Sequence, residues 1–180
     1  DLGNVLIKFK PHEFLLRFTN DKEYIDQFVS KITRSKTWLE LDRGASSLEN
    51  ARNIFLSKYP REKEFIEQFF DQWMDMLTPI EENIEILGEL KELGYRLYIL
   101  SNYIKEAFSY VSSKYNFFSL FDGQIISGVE NLIKPEKAIY DLLLSRYNLL
   151  PEESLFIDDV LFFLKPAKKL GMKTIWNRPE

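Results

Sequence analysis

Hydrophobic positions along the chain recur with two different textures. Between residues 11 and 77 the spacing is helical throughout. Phe14, Leu15 and Phe18 lie on one helical face, and Tyr24, Ile25, Phe28, Val29 and Ile32 repeat the pattern. Ser46-Ser47-Leu48-Glu49 has the form of a capping box and predicts a helix whose apolar side holds Ile54 and Phe55. Beyond Pro60 the stripe continues through Phe65, Ile66, Phe69, Phe70, Trp73 and Leu77. Such a stripe is read as core packing rather than as a ligand-binding box, because large apolar side chains are mostly buried.

From Thr78 onward, short apolar runs alternate with amphipathic ones. Thr78 is expected as a helix N-cap, with Pro79 first in the helix and Glu81 third. Ile80, Ile84, Leu87 and Leu90 line one face, and Gly94 is the expected stop. Strands are predicted at 97–100, 124–126, 155–157 and 173–176, and helices at 104–113, 136–147 and 161–170. Apolar strands separated by helices predict an α/β fold, a Rossmann-like parallel sheet with helices on both faces. An all-helical stretch placed before the run of strands reads as an inserted cap. The expected division is a core of residues 1–10 and 78–180, with a helical cap at 11–77. A strand upstream of Asp1 is also expected, since a functional carboxylate at a free end would be poorly anchored.

Composition narrows the chemistry. The 180 residues are 45% hydrophobic and 29% charged, enough for a sizeable core. The net charge of −4 argues against nucleic acid or an anionic membrane as partner. Neither a run of about 20 apolar residues nor a signal-peptide pattern is seen, and a cytoplasmic protein is expected. Absence of cysteine excludes disulfides, thiolate metal sites and a cysteine nucleophile. The single histidine, His12, excludes a histidine-rich zinc site and is read as an ordinary cap or loop residue.

Four polar sites fall where strands should end, which is where open parallel sheets bind ligands. They are Asp1-Leu2-Gly3-Asn4-Val5, Ser101-Asn102, Lys134-Pro135 and Asp158-Asp159. Each alone is common: Asp pairs favour turns, Ser-Asn pairs cap helices and lysines decorate surfaces. Their order, carboxylate, hydroxyl, lysine and paired carboxylates, is far more specific. Counting formal charges, three carboxylates and one lysine leave a deficit that one divalent cation cancels before an anionic substrate enters.

The ordered set resembles the four motifs of the haloacid dehalogenase superfamily and spans nearly the whole chain. Asp1 to Val5 resembles a subgroup similar to α-glucose-1-phosphate phosphatase, and Asp42-Arg43-Gly44-Ala45-Ser46-Ser47 resembles a turn in that subgroup's cap. The resemblance implies a phosphatase that uses Mg2+ and an aspartyl-phosphate, acting on a small phosphorylated metabolite such as a sugar phosphate. It implies Asp1 as nucleophile, with Ser101, Asn102 and Lys134 holding phosphate and Lys134 also orienting Asp1. It implies metal ligation by Asp1, the Gly3 carbonyl, Asp158 and Asp159. A monomer or weak homodimer is expected.

Two positions depart from the family pattern. Most phosphatases of the superfamily carry a second Asp at the place of Gly3, which protonates the leaving group and later activates water. Glycine can do neither, and the Asn4 amide is no base near neutral pH. After Asp159, Val160-Leu161-Phe162-Phe163-Leu164 is unusually apolar, and Phe162 and Phe163 are expected to pack in the core. Trp38 and Arg43 are candidates for shaping a pocket. The competing readings are a metal-free 2-haloacid dehalogenase and a non-catalytic member that binds a phosphorylated ligand. The Asp158-Asp159 pair speaks against the first, and Gly3 and the Phe162-Phe163 run speak for the second.

Overall fold

A computed structural model of the chain describes residues 1–178; the last two residues of the expected 78–180 core lie outside that range. Residues 11–76 form helices only: α1 (Pro11–Leu15), α2 (Lys22–Ile32), α3 (Lys36–Arg43), α4 (Leu48–Lys58) and α5 (Lys63–Gln72), with short 3-10 turns after α4 and α5. Local chemistry sets their starts. The side chains of Asp21, Ser35 and Ser47 each accept an N–H of the first turn, so α4 is capped by Ser47 rather than Ser46. The aromatic stripe is packed as expected. Phe14, Phe28, Trp38, Phe55, Phe69 and Trp73 are all buried and meet at offset or edge-on angles. Trp38 therefore belongs to this core and not to a pocket.

The remaining elements alternate: α6 (Glu81–Glu92), β1 (Tyr98–Ser101), α7 (Lys105–Lys114), β2 (Gly123–Ile126), α8 (Ser127–Glu130), α9 (Lys137–Arg146), β3 (Leu155–Asp158), α10 (Leu161–Lys169) and β4 (Lys173–Trp176). Strands pair in parallel, β1 with β2 and β3 with β4. Residues 1 and 2 lie between the two pairs: the Asp1 nitrogen donates to the Ile157 carbonyl at 2.9 Å, and Leu2 N donates to Ser101 Oγ at 3.3 Å. Period-two alternation divides the core. Leu100, Ile125 and Phe156 pack with α9 and α10, whereas Ile99 and Ile126 join the cluster that runs on into the helical block. The architecture is α/β and Rossmann-like, with helical elements beside parallel strands. No helix among the described residues is long and apolar enough to cross a membrane.

The start of α6 differs from expectation. Thr78 does not cap it, and Pro79 stays outside; Thr78–Ile80 instead run extended beside Leu6–Lys8. Lys8 N donates to Thr78 O and Ile80 N donates to Leu6 O, both at 2.8 Å. Proline suits this strip because its missing N–H falls between the two bonds. Phe162 also departs from the expected core packing. The buried residues of α10 are Leu164 and Ala167, which leaves Phe162 on the opposite side and 57% exposed.

Gly44 closes α3 with a left-handed φ of 81° and rests directly on Gly128 of α8. A Cβ there would lie 2.5 Å from the Gly128 carbonyl oxygen. Gly44→Ala combines a disfavoured φ with a backbone clash, so chemical denaturation is expected to show a loss of about 2 kcal/mol or more. An unchanged midpoint would mean that this joint yields easily.

Candidate active site

Asp1, Ser101, Lys134, Asp158 and Asp159, far apart in sequence, converge at the carboxyl ends of β1 and β3. The Asp1 side chain is only 8% exposed, and its Oδ1 accepts bonds from Ser101 Oγ at 2.6 Å and Lys134 Nζ at 3.0 Å. No described residue donates to its Oδ2. Lys134 is fully buried, and its ammonium also donates to Asp158 Oδ2 at 2.6 Å and to Leu100 O at 3.2 Å. An ammonium has three donors, and all are used. Burial pulls the Lys134 ammonium below the usual lysine range, while the charge of Asp158 pulls the other way. The rings of Phe156 and Phe163 lie 5.3 and 5.1 Å from Nζ, so Phe163 walls the site.

The expected phosphate contacts are redistributed. The Asn102 side chain is spent on the Lys134 peptide: its Oδ1 accepts Lys134 N at 2.8 Å and its Nδ2 donates to Lys134 O at 3.1 Å. Asn102 thus positions the lysine, and Lys134 in turn holds two carboxylates in register. Ser101 keeps its hydroxyl on the Asp1 carboxylate. Gly3 offers more than its lack of a side chain suggested. Its turn is closed by bonds of its neighbours, Ile7 N to Leu2 O and Asn4 N to Ile7 O, so its own N–H and carbonyl have no partner among the described residues.

Asn4 contributes without any titratable group. At φ 51° it sits in the left-handed region that Asn tolerates. Its amide donates to Asp159 Oδ2 at 3.1 Å and accepts Phe9 N at 3.0 Å, while Asn177 Nδ2 donates to its carbonyl at 2.8 Å. Burial pushes Asp159 above the ordinary carboxylate range; the Asn4 bond draws it partly back, and the Asp158 charge adds to the rise. Carboxylate oxygens of Asp1, Asp158 and Asp159 lie within 4.8 Å of one another. Hard oxygen donors with a single lysine between them, one carboxylate strained by its neighbour and a free carbonyl at Gly3 fit a divalent cation such as Mg2+.

The helical block reaches this site through the end of α3. Ser127 Oγ donates to the Asp42 carbonyl and accepts Tyr103 N at 2.9 Å. Arg43 donates with both terminal nitrogens to Glu136, the Nη1 bond being 3.0 Å, two residues beyond Lys134. Asp42 keeps some surface, but its carboxyl lies deep among protein atoms. Burial lifts it from 3.8 to about 7, against the pull of Lys134. Only the turn Asp42-Arg43-Gly44 marked this region in the sequence, and nothing there indicated that the carboxyl is desolvated.

A pH effect follows. Between about 4 and about 7 the folded protein holds a proton on Asp42 that the unfolded chain has released. Stability from this group therefore falls as pH rises through that window and stays low above it. Asp42→Asn removes the penalty, so its melting temperature is expected to gain on the parent between pH 5 and pH 8. A constant difference across that range would contradict the assignment.

The chain is similar in sequence and fold to known proteins. A family model described as haloacid dehalogenase-like hydrolase matches residues 19–177. The chain is 26% identical over 172 residues to a sesquiterpene phosphatase of Aspergillus oryzae, spanning 96% of this chain and 84% of that protein. It is 35% identical over 95 residues to a glyceraldehyde 3-phosphate phosphatase of Pyrococcus abyssi, spanning 51% of this chain and 39% of that protein. A solved structure of a predicted HAD-like family hydrolase from Porphyromonas gingivalis superposes with a TM-score of 0.77 at 28% identity, covering 98% of this chain and 87% of that one. The family model covers well over half of the sequence, and the chain belongs to the haloacid dehalogenase-like hydrolases.

Proposed function

We propose that the chain is a Mg2+-dependent phosphatase that hydrolyses a small phosphorylated metabolite through an aspartyl-phosphate on Asp1. The observation that carries this reading is the state of the Asp1 carboxylate. One oxygen is fixed by Ser101 and Lys134 and the other is free, at the rim of a three-carboxylate cluster. Asp1 Oδ2 attacks phosphorus while Lys134 and Ser101 hold Oδ1 and so fix the angle of approach. Ser101 can turn its hydroxyl to a phosphoryl oxygen, and the free Gly3 N–H supplies a second donor. Asp1, the Gly3 carbonyl, Asp158 and Asp159 hold the cation, which offsets the repulsion between phosphate and carboxylates. Residues 11–77 act as a cap over a core of residues 1–10 and 78–180, excluding water from the attack.

Two relatives named as phosphatases support the reaction class. The resemblance of Asp1 to Val5 to the α-glucose-1-phosphate phosphatase subgroup suggests sugar phosphates as the first substrates to try. The deciding experiment is phosphate release from an aryl phosphate with Mg2+ or with chelator, alongside Asp158→Asn and a 2-haloacid control. Metal-dependent release that is lost in the variant is expected. Halide release in chelator would instead indicate a dehalogenase, and bound Mg2+ without any turnover a binding protein.

A further inference from the structure

Gly3 leaves the Asp1 loop without a side-chain proton donor, and the polar side chains placed around Asp1 are hydrogen-bonded to one another or belong to the three-carboxylate cluster. We propose that Asp42, carried in from the helical block at the end of α3, is the general acid and base of this active site. The inference rests on the phosphatase reading above and assigns its missing proton.

Three joints set residue 42 against the core. Its carbonyl is held by Ser127, Arg43 next to it is clamped by Glu136, and Gly44 lies on Gly128 with no room for a side chain. Each joint ties α3 to a segment that flanks the site: Ser127 binds Tyr103, two residues past Ser101, and Glu136 follows Lys134. With the backbone pinned there, the Asp42 carboxyl takes no hydrogen bond from any described residue, although it lies deep enough to be shifted to about 7. Lys134 and Tyr103 lie close enough to share its electrostatics; Arg43 is turned to Glu136, and Lys105 and Glu106 line the outer crevice beside Gly44. The buried Tyr103 hydroxyl also has no described partner, so this wall presents polar groups that nothing in the protein satisfies. A leaving-group oxygen would satisfy them.

The proton steps balance. As Asp1 Oδ2 bonds to phosphorus, the bond from phosphorus to the leaving oxygen breaks and the Asp42 proton passes to that oxygen, giving the alcohol. Water then attacks phosphorus and gives a proton to the Asp42 carboxylate. The bond from phosphorus to Asp1 breaks, and inorganic phosphate leaves. A group titrating near neutrality is present in both forms and can serve in each direction.

The test compares an alkyl phosphate, whose leaving group needs a proton, with 4-nitrophenyl phosphate, whose leaving group does not. Asp42→Asn is expected to slow the first turnover of the alkyl ester by about 100-fold or more and that of the aryl ester only several-fold. With the aryl ester it should also accumulate phosphorylated protein, seen by intact mass, because water lacks its base. Asp42→Ala should regain alkyl-ester turnover with added formate, which repair of folding cannot mimic. A Cβ at Gly3 meets nothing within 4 Å, so Gly3→Asp has space to restore a donor in the Asp42→Asn background. Equal losses on both esters, with neither rescue nor accumulation, would overturn the role of Asp42 alone. A parent protein inactive on both esters overturns the phosphatase reading and this role together.

Discussion

Asp1→Asn is expected to lower phosphate release by about 10⁴-fold or more while leaving the protein folded. Asparagine keeps the shape of the carboxylate and can still accept from Ser101 and Lys134 through its carbonyl. It cannot form the aspartyl-phosphate, so the route through two easier steps is lost. Stability should change little, since the buried Lys134 keeps Asp158 as its charged partner. Chemical denaturation and single-turnover phosphate release measure the two halves separately. Turnover close to the parent rate would show that another group attacks phosphorus.

Lys134→Met should have the largest effect on stability, about 3–5 kcal/mol by urea denaturation. Methionine fills much of the same space, but the ammonium that joins Asp1 to Asp158 disappears and Asp158 is left fully buried. An uncompensated buried charge is far more damaging than a missing surface pair. Activity falls as well, because Asp1 loses the partner that aims it. Adding Asp158→Asn should recover part of the stability and none of the activity, the non-additivity expected of neighbours in one network. If the single and double variants unfold at the same urea concentration, the buried pair is not what holds these strands together.

How much was legible in the sequence depends on the range over which each feature is decided. The strands ending in Ser101 and Asp158 were readable because a short apolar run bounded by polar residues has few other structures open to it. Phe69 and Trp73 were readable as core because helical spacing alone places them on one face. The start of α6 was not, since the caps and proline that suit a helix at Thr78 suit an extended strip equally well once Leu6–Lys8 lies alongside. Phe162 differs for a related reason: α10 buries the face of Leu164 and Ala167, and a residue two positions before Leu164 falls on the other side.

The site divides along the same line. Residue types and their order by themselves grouped these carboxylates, this hydroxyl and this lysine, because polar residues that end successive parallel strands meet at one edge of the sheet. Only the tertiary structure decided what each one does. Asn102 became the support of Lys134, Lys134 spent its donors on Asp1 and Asp158, and Asn4 came to hold Asp159. Asp42, 59 residues before Ser101, is brought against the core because Gly44 allows α3 to rest on Gly128. Hydrogen-bond partners, burial and charge depend on distance in space, which spacing along a chain does not encode.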